Sequence, residues 1–356
     1  MTGKAQEETE VPANDGYMLS SGPLVDSLRK IRNLETVGEI RREISSLREE
    51  RDLLDLPDSA FIAEELRQAY EAYTVERARY YIDRLVKSLT VVREGKINDL
   101  NLNRWKELDD LITDSLWILE NRDRSGTHNA GYWGNFVPQI PRQLMKRFTK
   151  KGDWVLDPFS GSGTTLIESL RLGRNCIGVD LSQDAVDLAA RNLEKSENPY
   201  GVYADTTLGD SSLVDFPSML KSRGAGSVQL VIMHPPYWDI IKFTDNRGDL
   251  SNSTSLDAFL NGLGNVAEKC INVLDRGRYL ALVIGDKYTG GEWIPLGFRA
   301  MSVVQERGML LKSVIVKNYD VTRGKRRQEE LWRYRALLGG FYLFKHEYIF
   351  LFQKPV

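Results

Sequence analysis

The sequence contains few of the residues on which disulfide-rich and metal-caged folds depend. Two cysteines and three histidines occur among 356 residues, which excludes a disulfide scaffold, a cysteine metal cage and a histidine-rich metal site. No apolar run approaches the roughly 20 residues of a membrane span, and the polar, acidic start is unlike a signal peptide. These absences predict a cytoplasmic protein with neither a metal nor a membrane as partner.

A strong net charge is also missing, because the chain carries only −2 overall. Residues 1–122 hold 18 Lys and Arg against 25 Asp and Glu, whereas residues 123–356 hold 30 against 25. A chain of this length usually forms about two domains. We therefore predict a disordered tail over 1–20, an acidic helical domain over 21–122 and a net-basic domain over 123–356.

Helical periodicity dominates the acidic part. Apolar residues recur every three or four positions from Leu24 to Leu47, which predicts one long amphipathic helix. Pro57 interrupts the pattern, and further helices are predicted from about residue 58 to Ser88 and over 101–120. The pattern favours a helical bundle with solvated faces. An arm that forms a homodimer and an arm that clasps DNA remain alternatives.

From about residue 150 onward, the pattern changes to alternating strands and helices. Seven β-rich runs occur, at 153–159, 175–181, 201–205, 227–234, 278–285, 310–317 and 345–354. Helical runs lie among them, including those at 256–274 and 296–307. The alternation predicts an α/β fold with a doubly wound, mostly parallel, seven-stranded sheet. No helical pattern separates the last two runs, which predicts an antiparallel hairpin at the sheet edge.

A small-residue loop, residues 157–165, follows the first of these strands, where open α/β sheets bind ligands. Its two glycines allow a ligand to approach the backbone and the amino end of the next helix. A phosphate-binding loop would need lysine at Thr164, and a dinucleotide fingerprint would need glycine at Leu166. Asp180 ends the second strand, where such folds bind ribose hydroxyls. The loop therefore predicts a ligand that is not a simple polyphosphate.

The string VLDPFSGSGTT, ending at Thr165, resembles the cofactor loop of the S-adenosylmethionine-dependent DNA amino-methyltransferases. The resemblance covers about residues 127–356 and implies a restriction-modification methylase that uses S-adenosylmethionine. It also implies that residues 136–144 close over the cofactor. Asp205 competes with Asp210 for the adenine contact, and Asp210 is favoured. The implied cofactor-binding residues are Asp157, Pro158, Phe159, Gly161, Gly163, Thr164, Thr165, Asp180, Leu181 and Asp210.

A second motif, His234-Pro235-Pro236-Tyr237, follows the strand at 227–234. Consecutive prolines exclude helix and leave rigidly directed carbonyls. In an amino-methyltransferase, His234 and the Pro235 carbonyl would accept the two amino hydrogens, and Tyr237 would stack on a base extruded from the duplex. The sequence thus predicts these four residues as the catalytic group.

The first position of this motif departs from the forms usual in the family, which are Asp or Asn for adenine and Ser for the N4 of cytosine. A neutral imidazole can fill the role because one ring nitrogen accepts a hydrogen bond. Transfer is then predicted to decrease as the pH falls through the pKa of His234, and a profile flat from pH 5 to 8 would contradict the role. Trp238 after the tyrosine resembles the cytosine-N4 members and favours that base. An N6-adenine enzyme, an RNA amino-methyltransferase and an inactive recognition subunit are the alternatives.

Residues 323–335 are strongly basic and contain two aromatic side chains. Such a segment can contact phosphates and bases, so double-stranded DNA is the predicted partner. It can equally be a solvated basic helix, and the amino-terminal helices or residues 246–255 are further candidates for recognition. His128 and His346 are predicted to have structural roles. The predicted DNA-binding residues are Trp238, Arg323, Lys325, Arg326, Arg327 and Arg333.

Overall fold

The computed structural model describes residues 9–10, 16–49, 59–128, 134–318 and 329–356. The chain divides into two compact units, Met1–Leu111 and Ile112–Val356. The division falls 11 residues before the boundary predicted from charge. Among the described residues, none of the helices combines the length and the apolar character that crossing a membrane requires.

The first unit is built mainly from helices whose apolar stripes face one another. Its core includes Leu28, Ile40, Ile44, Leu66 and Ile82, all of them at most 1% exposed. A short 3-10 helix follows at Leu102–Glu107. The regular elements before it are β1 Thr9–Glu10, α1 Gly16–Arg32, α2 Val37–Glu49, α3 Ser59–Tyr70, α4 Val75–Thr90 and β2 Val91–Val92.

The helix boundaries in this unit differ from those predicted, because polar N-caps start new helices inside segments that the apolar spacing joins. Thr36 and Glu39 form a capping box: the Thr36 hydroxyl accepts the Glu39 N–H at 3.2 Å, and a Glu39 carboxyl oxygen accepts the Thr36 N–H at 3.1 Å. The predicted helix over 24–47 is therefore two helices, α1 and α2. Thr74 accepts the Arg77 N–H at 3.2 Å and likewise starts α4. Helix α1 begins inside the segment predicted to be disordered.

The second unit is an α/β domain, as predicted. Its strands are β3 Leu116–Trp117, β4 Trp154–Asp157, β5 Asn175–Asp180, β6 Ala204–Leu208, β7 Val228–Met233, β8 Leu274–Ile284, β9 Lys287–Thr289, β10 Glu292–Ile294, β11 Leu310–Asn318 and β12 His346–Gln353. Its helices are α5 Gln139–Phe148, α6 Thr164–Leu172, α7 Gln183–Glu194, α8 Phe216–Lys221, α9 Leu256–Val273, α10 Leu296–Gln305 and α11 Glu329–Gly339.

The main sheet has the strand order β3-β11-β12-β8-β7-β4-β5-β6. All seven predicted runs form strands of it, but the predicted count of seven is wrong. The eighth strand, β3, has two residues and pairs parallel with β11. It lies where a helix over 101–120 was predicted, and two residues are too few to give a periodic pattern.

The carboxyl end of the sheet positions the site. β4 pairs parallel with both β5 and β7, and β7 pairs parallel with β8, so the loops that follow these strands meet at one edge. β12 is antiparallel to both β11 and β8. The predicted antiparallel pair, β11 and β12, is thus present. It does not form the edge of the sheet, because β3 pairs with the outer side of β11. Helix α11 lies in the connection between the two strands. Strands β7 and β12 are buried along almost their whole length, which explains their continuous apolar runs.

Candidate active site

A cavity of about 990 Å³ opens at this edge of the sheet, within the second unit. Its size is at the upper end of the range of about 300–1,000 Å³ that is usual for small-molecule sites. The loops after β4, β5, β6, β7 and β8 all contribute to its wall. The predicted cofactor and catalytic residues that line it are Pro158, Phe159, Gly161, Asp180, Leu181, Asp210, His234, Pro235, Pro236 and Tyr237.

Four predicted cofactor residues lie behind the cavity wall instead of lining it: Asp157, Gly163, Thr164 and Thr165. The Asp157 carboxylate accepts the Phe159 N–H at 3.0 Å, and burial raises its pKa to about 7. Gly163 has φ +87°, and a Cβ there would lie 3.1 Å from the Cβ of an alanine on α7. These four residues shape the loop and allow α7 to pack closely against it.

Asp180 joins the cofactor loop to the end of β5. One of its carboxylate oxygens accepts the Gly161 N–H at 2.8 Å, and the other accepts the Ser182 N–H at 2.9 Å. Burial raises the pKa of Asp180, against the effect of these backbone hydrogen bonds. Because each carboxylate oxygen can accept more than one hydrogen bond, Asp180 retains acceptor capacity for ligand hydroxyls.

The two candidates for the adenine contact occupy different places. Asp210 lines the cavity, and its Oδ1 accepts the backbone and hydroxyl hydrogens of Ser212 at 2.8 and 2.7 Å. Asp205 is absent from the cavity wall. It accepts the Tyr203 hydroxyl at 3.1 Å and lies 3.7 Å from a guanidinium nitrogen of Arg223. The geometry therefore favours Asp210, as the sequence did.

The motif predicted to be catalytic, residues 234–237, lines the same cavity. The His234 ring lies between two aromatic rings: its centroid is 4.8 Å from that of Phe136 and 5.6 Å from that of Tyr237. Phe136 belongs to the segment predicted to close over the cofactor. A Cβ on Gly285 would lie 2.9 Å from the Tyr237 ring, so glycine at the end of β8 makes room for that ring.

Two buried charged residues, which the sequence analysis missed, hold the Tyr237 hydroxyl. Tyr237 donates to Glu347 Oε2 at 2.7 Å, and the Lys317 ammonium donates to Glu347 Oε1 at 3.0 Å. Lys317 and Glu347 are only 5% and 8% exposed, and both line the cavity. His234 Nε2 lies 3.3 Å from the Tyr237 hydroxyl. The motif that follows β7 is therefore linked to β12 and β11, which lie two and three strands away in the sheet.

These contacts determine the charges at the site. Burial lowers the pKa of His234 to about 4, with Glu347 opposing the shift and Lys317 adding to it. Burial alone would raise the pKa of Glu347, but Lys317, His234 and Tyr237 outweigh it and hold that pKa below its usual value. At neutral pH the site thus contains a neutral imidazole beside an ionised Lys317–Glu347 pair.

The predicted DNA-binding residues separate into three groups. Trp238 has φ +52° and lies outside the cavity wall: its indole N–H donates to the Ser253 carbonyl at 3.0 Å, and the Lys287 ammonium lies 4.0 Å from its ring centroid. Arg333 is exposed on α11, next to Trp332, which lines the cavity. The remaining four, Arg323, Lys325, Arg326 and Arg327, lie outside the described residues.

Aromatic residues at the cavity wall were not predicted to belong to the site. Phe341 stacks on Tyr288 with ring centroids 4.5 Å apart, and Phe344 contacts Trp293 at 4.3 Å. Tyr342 lies between them in the chain and is 86% exposed. The only sequence signal for this group was the aromatic cluster Phe341-Tyr342-Leu343-Phe344, which precedes the last strand.

The other two histidines contact protein side chains away from the cavity wall. His128 Nε2 lies 2.7 Å from a buried carboxylate oxygen of Glu168 on α6, and His346 Nε2 lies 3.1 Å from the Tyr348 hydroxyl. Among the described residues, no group of three or more His, Cys, Asp or Glu side chains could hold a metal ion.

The lining fits S-adenosylmethionine. Asp180 offers carboxylate acceptors for ribose hydroxyls, and Asp210 offers one for an adenine amino group. Phe159 and Leu181 provide apolar surface for the adenine ring, and Gly161 permits close approach to the backbone. The acidic residues also suit a ligand that carries positive charge. The chemistry of this side of the cavity therefore agrees with the cofactor that the loop sequence implied.

Comparison with known proteins gives the same assignment. A DNA methylase family model of the N6/N4 type matches residues 55–191 and 228–356. The type II methyltransferase M2.DpnII of Streptococcus pneumoniae is 38% identical over 98 residues, which are 26% of this chain and 33% of that protein. M.MjaII of Methanocaldococcus jannaschii is 42% identical over 64 residues, 18% of this chain and 12% of that protein. The matches thus span a third or less of these relatives.

A solved S-adenosylmethionine-dependent methyltransferase from Methanosarcina mazei is 14% identical, with a TM-score of 0.40, over 60% of this chain and 97% of that one. The family model identifies the family, because it covers the helical region after residue 55 and most of the cavity loops. The chain belongs to the N6/N4 family of DNA methylases, whose methyl donor is S-adenosylmethionine.

Proposed function

We propose that this protein transfers a methyl group from S-adenosylmethionine to the exocyclic N4 of cytosine in double-stranded DNA. The observation that carries the proposal is the shared cavity: the His234–Tyr237 motif faces the same space as Asp180 and Asp210. An acceptor for amino hydrogens and a binding site for the methyl donor therefore lie within reach of one bound base.

The chain contributes position and hydrogen-bond acceptors. When bound, S-adenosylmethionine supplies an electrophilic methyl group on its sulfonium. His234 and the Pro235 carbonyl accept the two hydrogens of the target amino group, which favours a pyramidal nitrogen with a free lone pair. Tyr237 stacks on the extruded base and holds it in place. The bond between nitrogen and the methyl group would form as the methyl–sulfonium bond breaks, S-adenosylhomocysteine would leave, and the nitrogen would release one proton to solvent. Positioning of this kind would account for much of the acceleration, without a covalent bond to the protein.

The choice of cytosine N4 rests on the string Pro-Pro-Tyr-Trp, and the cysteines argue against methylation at cytosine C5. Methylation of cytosine C5 needs a reactive thiolate, but Cys176 and Cys270 are both fully buried. Burial also raises the pKa of both thiols. A role in a restriction system is proposed from the relatives, which are named as type II methyltransferases.

The test is methylation of unmodified duplex DNA with methyl-labelled S-adenosylmethionine, followed by digestion and mass spectrometry of the nucleosides. N4-methylcytosine is the expected product. N6-methyladenine would replace the proposed base with the alternative one, and C5-methylcytosine would overturn the proposal. An equal amount of competitor RNA is included, and preferential labelling of the RNA would assign the enzyme to RNA.

The pH dependence follows from the low pKa of His234. With a pKa of about 4, His234 stays neutral from pH 8 to pH 5, so a flat profile over that range no longer contradicts its role. We expect the single-turnover rate of the native enzyme, divided by that of His234→Asn, to be constant above about pH 5 and to decrease towards pH 4. Because both proteins contain Asp157, the ratio removes the effect of its titration near pH 7 from the profile. A ratio that decreases between pH 7 and 6 would refute the low pKa.

Cofactor binding should distinguish the two aspartates. Asp210→Ala is expected to weaken S-adenosylmethionine binding by roughly 10-fold, the loss of one hydrogen bond from a charged acceptor. Asp205→Ala is the matched control, since that side chain lies outside the cavity wall, and its affinity should change by less than about 2-fold. Calorimetric titration of both variants measures the difference. A larger loss of affinity in Asp205→Ala than in Asp210→Ala would assign the adenine contact to Asp205.

DNA contact by α11 should appear in the salt dependence of binding. Arg333 is exposed beside a cavity-lining tryptophan, and we propose that it contacts a phosphate. Arg333→Ala should reduce the slope of log K against log salt by about one unit. Arg276, exposed at the amino end of β8 and thus at the opposite edge of the sheet, is the control. Equal slopes for Arg333→Ala and the native protein would remove Arg333 from the interface.

A further inference from the structure

The buried Lys317–Glu347 pair has no role in the transfer mechanism proposed above. Both residues are more than nine-tenths buried, and both line the cavity. Burying two charges is costly and is often no more stabilising than apolar packing. Glu347 contacts the motif directly, since it accepts a hydrogen bond from the Tyr237 hydroxyl at 2.7 Å.

The hydroxyl of Tyr237 has a single proton, which limits what it can do. It donates that proton to Glu347 Oε2, while Lys317 donates to the other carboxylate oxygen at 3.0 Å. The hydroxyl oxygen can then only accept from the nearest ring nitrogen, His234 Nε2, which lies 3.3 Å away. For a hydrogen bond to form between Nε2 and this hydroxyl oxygen, Nε2 has to carry the hydrogen. In a neutral imidazole this leaves Nδ1 without one, as an acceptor.

We propose that Glu347 and Lys317 are positioning residues that act through Tyr237 to hold His234 in the tautomer with hydrogen on Nε2, so that Nδ1 accepts a hydrogen of the target amino group. The inference rests on the proposed function for its purpose, but the tautomer itself is independent of activity. Lys317 keeps the carboxylate of Glu347 ionised and thereby keeps it an acceptor.

The opposite arrangement would defeat the catalytic role. If Tyr237 donated to His234 Nε2, the ring hydrogen would lie on Nδ1, and that nitrogen could no longer accept. A histidine in this position differs from aspartate or asparagine, because a change of tautomer turns the acceptor nitrogen into a donor while the ring stays in place. The catalytic role of His234 therefore requires a contact that selects its tautomer.

The tautomer can be read directly by ¹⁵N NMR of the protein labelled on its histidine rings. The chain has three histidines, so the signals of His234 are assigned by their loss in His234→Asn. We expect a protonated Nε2 and an unprotonated Nδ1 at pH 7 in the native protein. A protonated Nδ1 would overturn the proposal even if no variant could be purified.

Glu347→Gln should invert the tautomer. Lys317 can only donate, so the amide oxygen of the new side chain faces it and the NH₂ group turns towards Tyr237. The tyrosine hydroxyl then accepts from the amide and donates to His234 Nε2, which moves the ring hydrogen to Nδ1. We expect kcat to decrease by roughly 10- to 100-fold, the range for losing one hydrogen bond to a charged group, with little change in the KM for cofactor.

His346→Gln is the matched control, because His346 neighbours Glu347 on β12 but contacts Tyr348 instead of Tyr237. It should leave the His234 tautomer and kcat unchanged. A native tautomer in folded Glu347→Gln would contradict the relay while leaving methyl transfer intact. Absence of methyl transfer by the native enzyme, with the expected tautomer present, would contradict the proposed function and not the relay.

Discussion

Replacing His234 with alanine is expected to lower the single-turnover rate of methyl transfer by about 10²–10³-fold. That is the usual loss when one preorganised hydrogen-bonding group is removed from an active site. His234 lines the cavity and is neutral at neutral pH, so its contribution is an acceptor at the target amino group. The affinity for S-adenosylmethionine should change little, because Asp180 and Asp210 are held by backbone N–H groups of the loops after β4, β5 and β6, which do not involve His234. Rapid-quench measurement with labelled cofactor gives the rate, and calorimetry gives the affinity.

His234→Asn is the informative companion. The asparagine side chain retains one carbonyl acceptor, so it should recover much of the rate that alanine loses. Asparagine has no ring tautomer, so its rate should also be insensitive to Glu347→Gln, which separates acceptance from tautomer selection. Equal rates for the native enzyme and His234→Ala would exclude His234 from the transfer step.

The positions of the seven longer strands were predictable because most are short apolar runs bounded by helices, and a sheet covered on both faces produces that pattern. The cofactor and catalytic loops were predictable for the same reason: they follow strands whose carboxyl ends meet. Asp157 shows the limit of this reasoning. Asp157 was predicted to bind the cofactor from its place in the motif, yet its carboxylate lies behind the cavity wall. Whether such a side chain faces the cavity or the interior depends on the backbone conformation, which the sequence does not specify.

Long-range polar contacts were not predictable. Lys317 follows Val314-Ile315-Val316 and would be assigned to the exposed end of a strand, yet it pairs with Glu347 across the antiparallel register of β11 and β12. That register is a tertiary property. The prediction of one continuous helix failed for a local reason: apolar spacing continues through Thr36, while the capping box there starts a new helix, α2. Such a threonine followed by glutamate three residues later is a signal that could have been used.

Lys317→Ala should be strongly destabilising, by about 3–5 kcal/mol, because it leaves the Glu347 carboxylate buried without its cation. Arg67→Ala is the comparison: Arg67 bonds Glu64 and Glu71 at 2.7–2.8 Å but on an exposed helix surface, where water screens an ion pair and its contribution to stability is small. Urea unfolding at pH 7, with the midpoint and slope fitted separately, measures both.

The direction of the pH effect provides a second check on the same pair. The pKa of Glu347 is lowered in the folded protein, so its stabilisation is present above the unfolded pKa and is lost as the pH falls through the folded value. Lys317→Ala removes the main cause of that lowering, so the stability gap between variant and native protein should narrow in acid. Replacing both residues, Lys317→Met with Glu347→Leu, should recover much of the stability but not the transfer rate. A Lys317→Ala variant no less stable than Arg67→Ala would show that the pair is not the buried, mutually dependent unit that its geometry indicates.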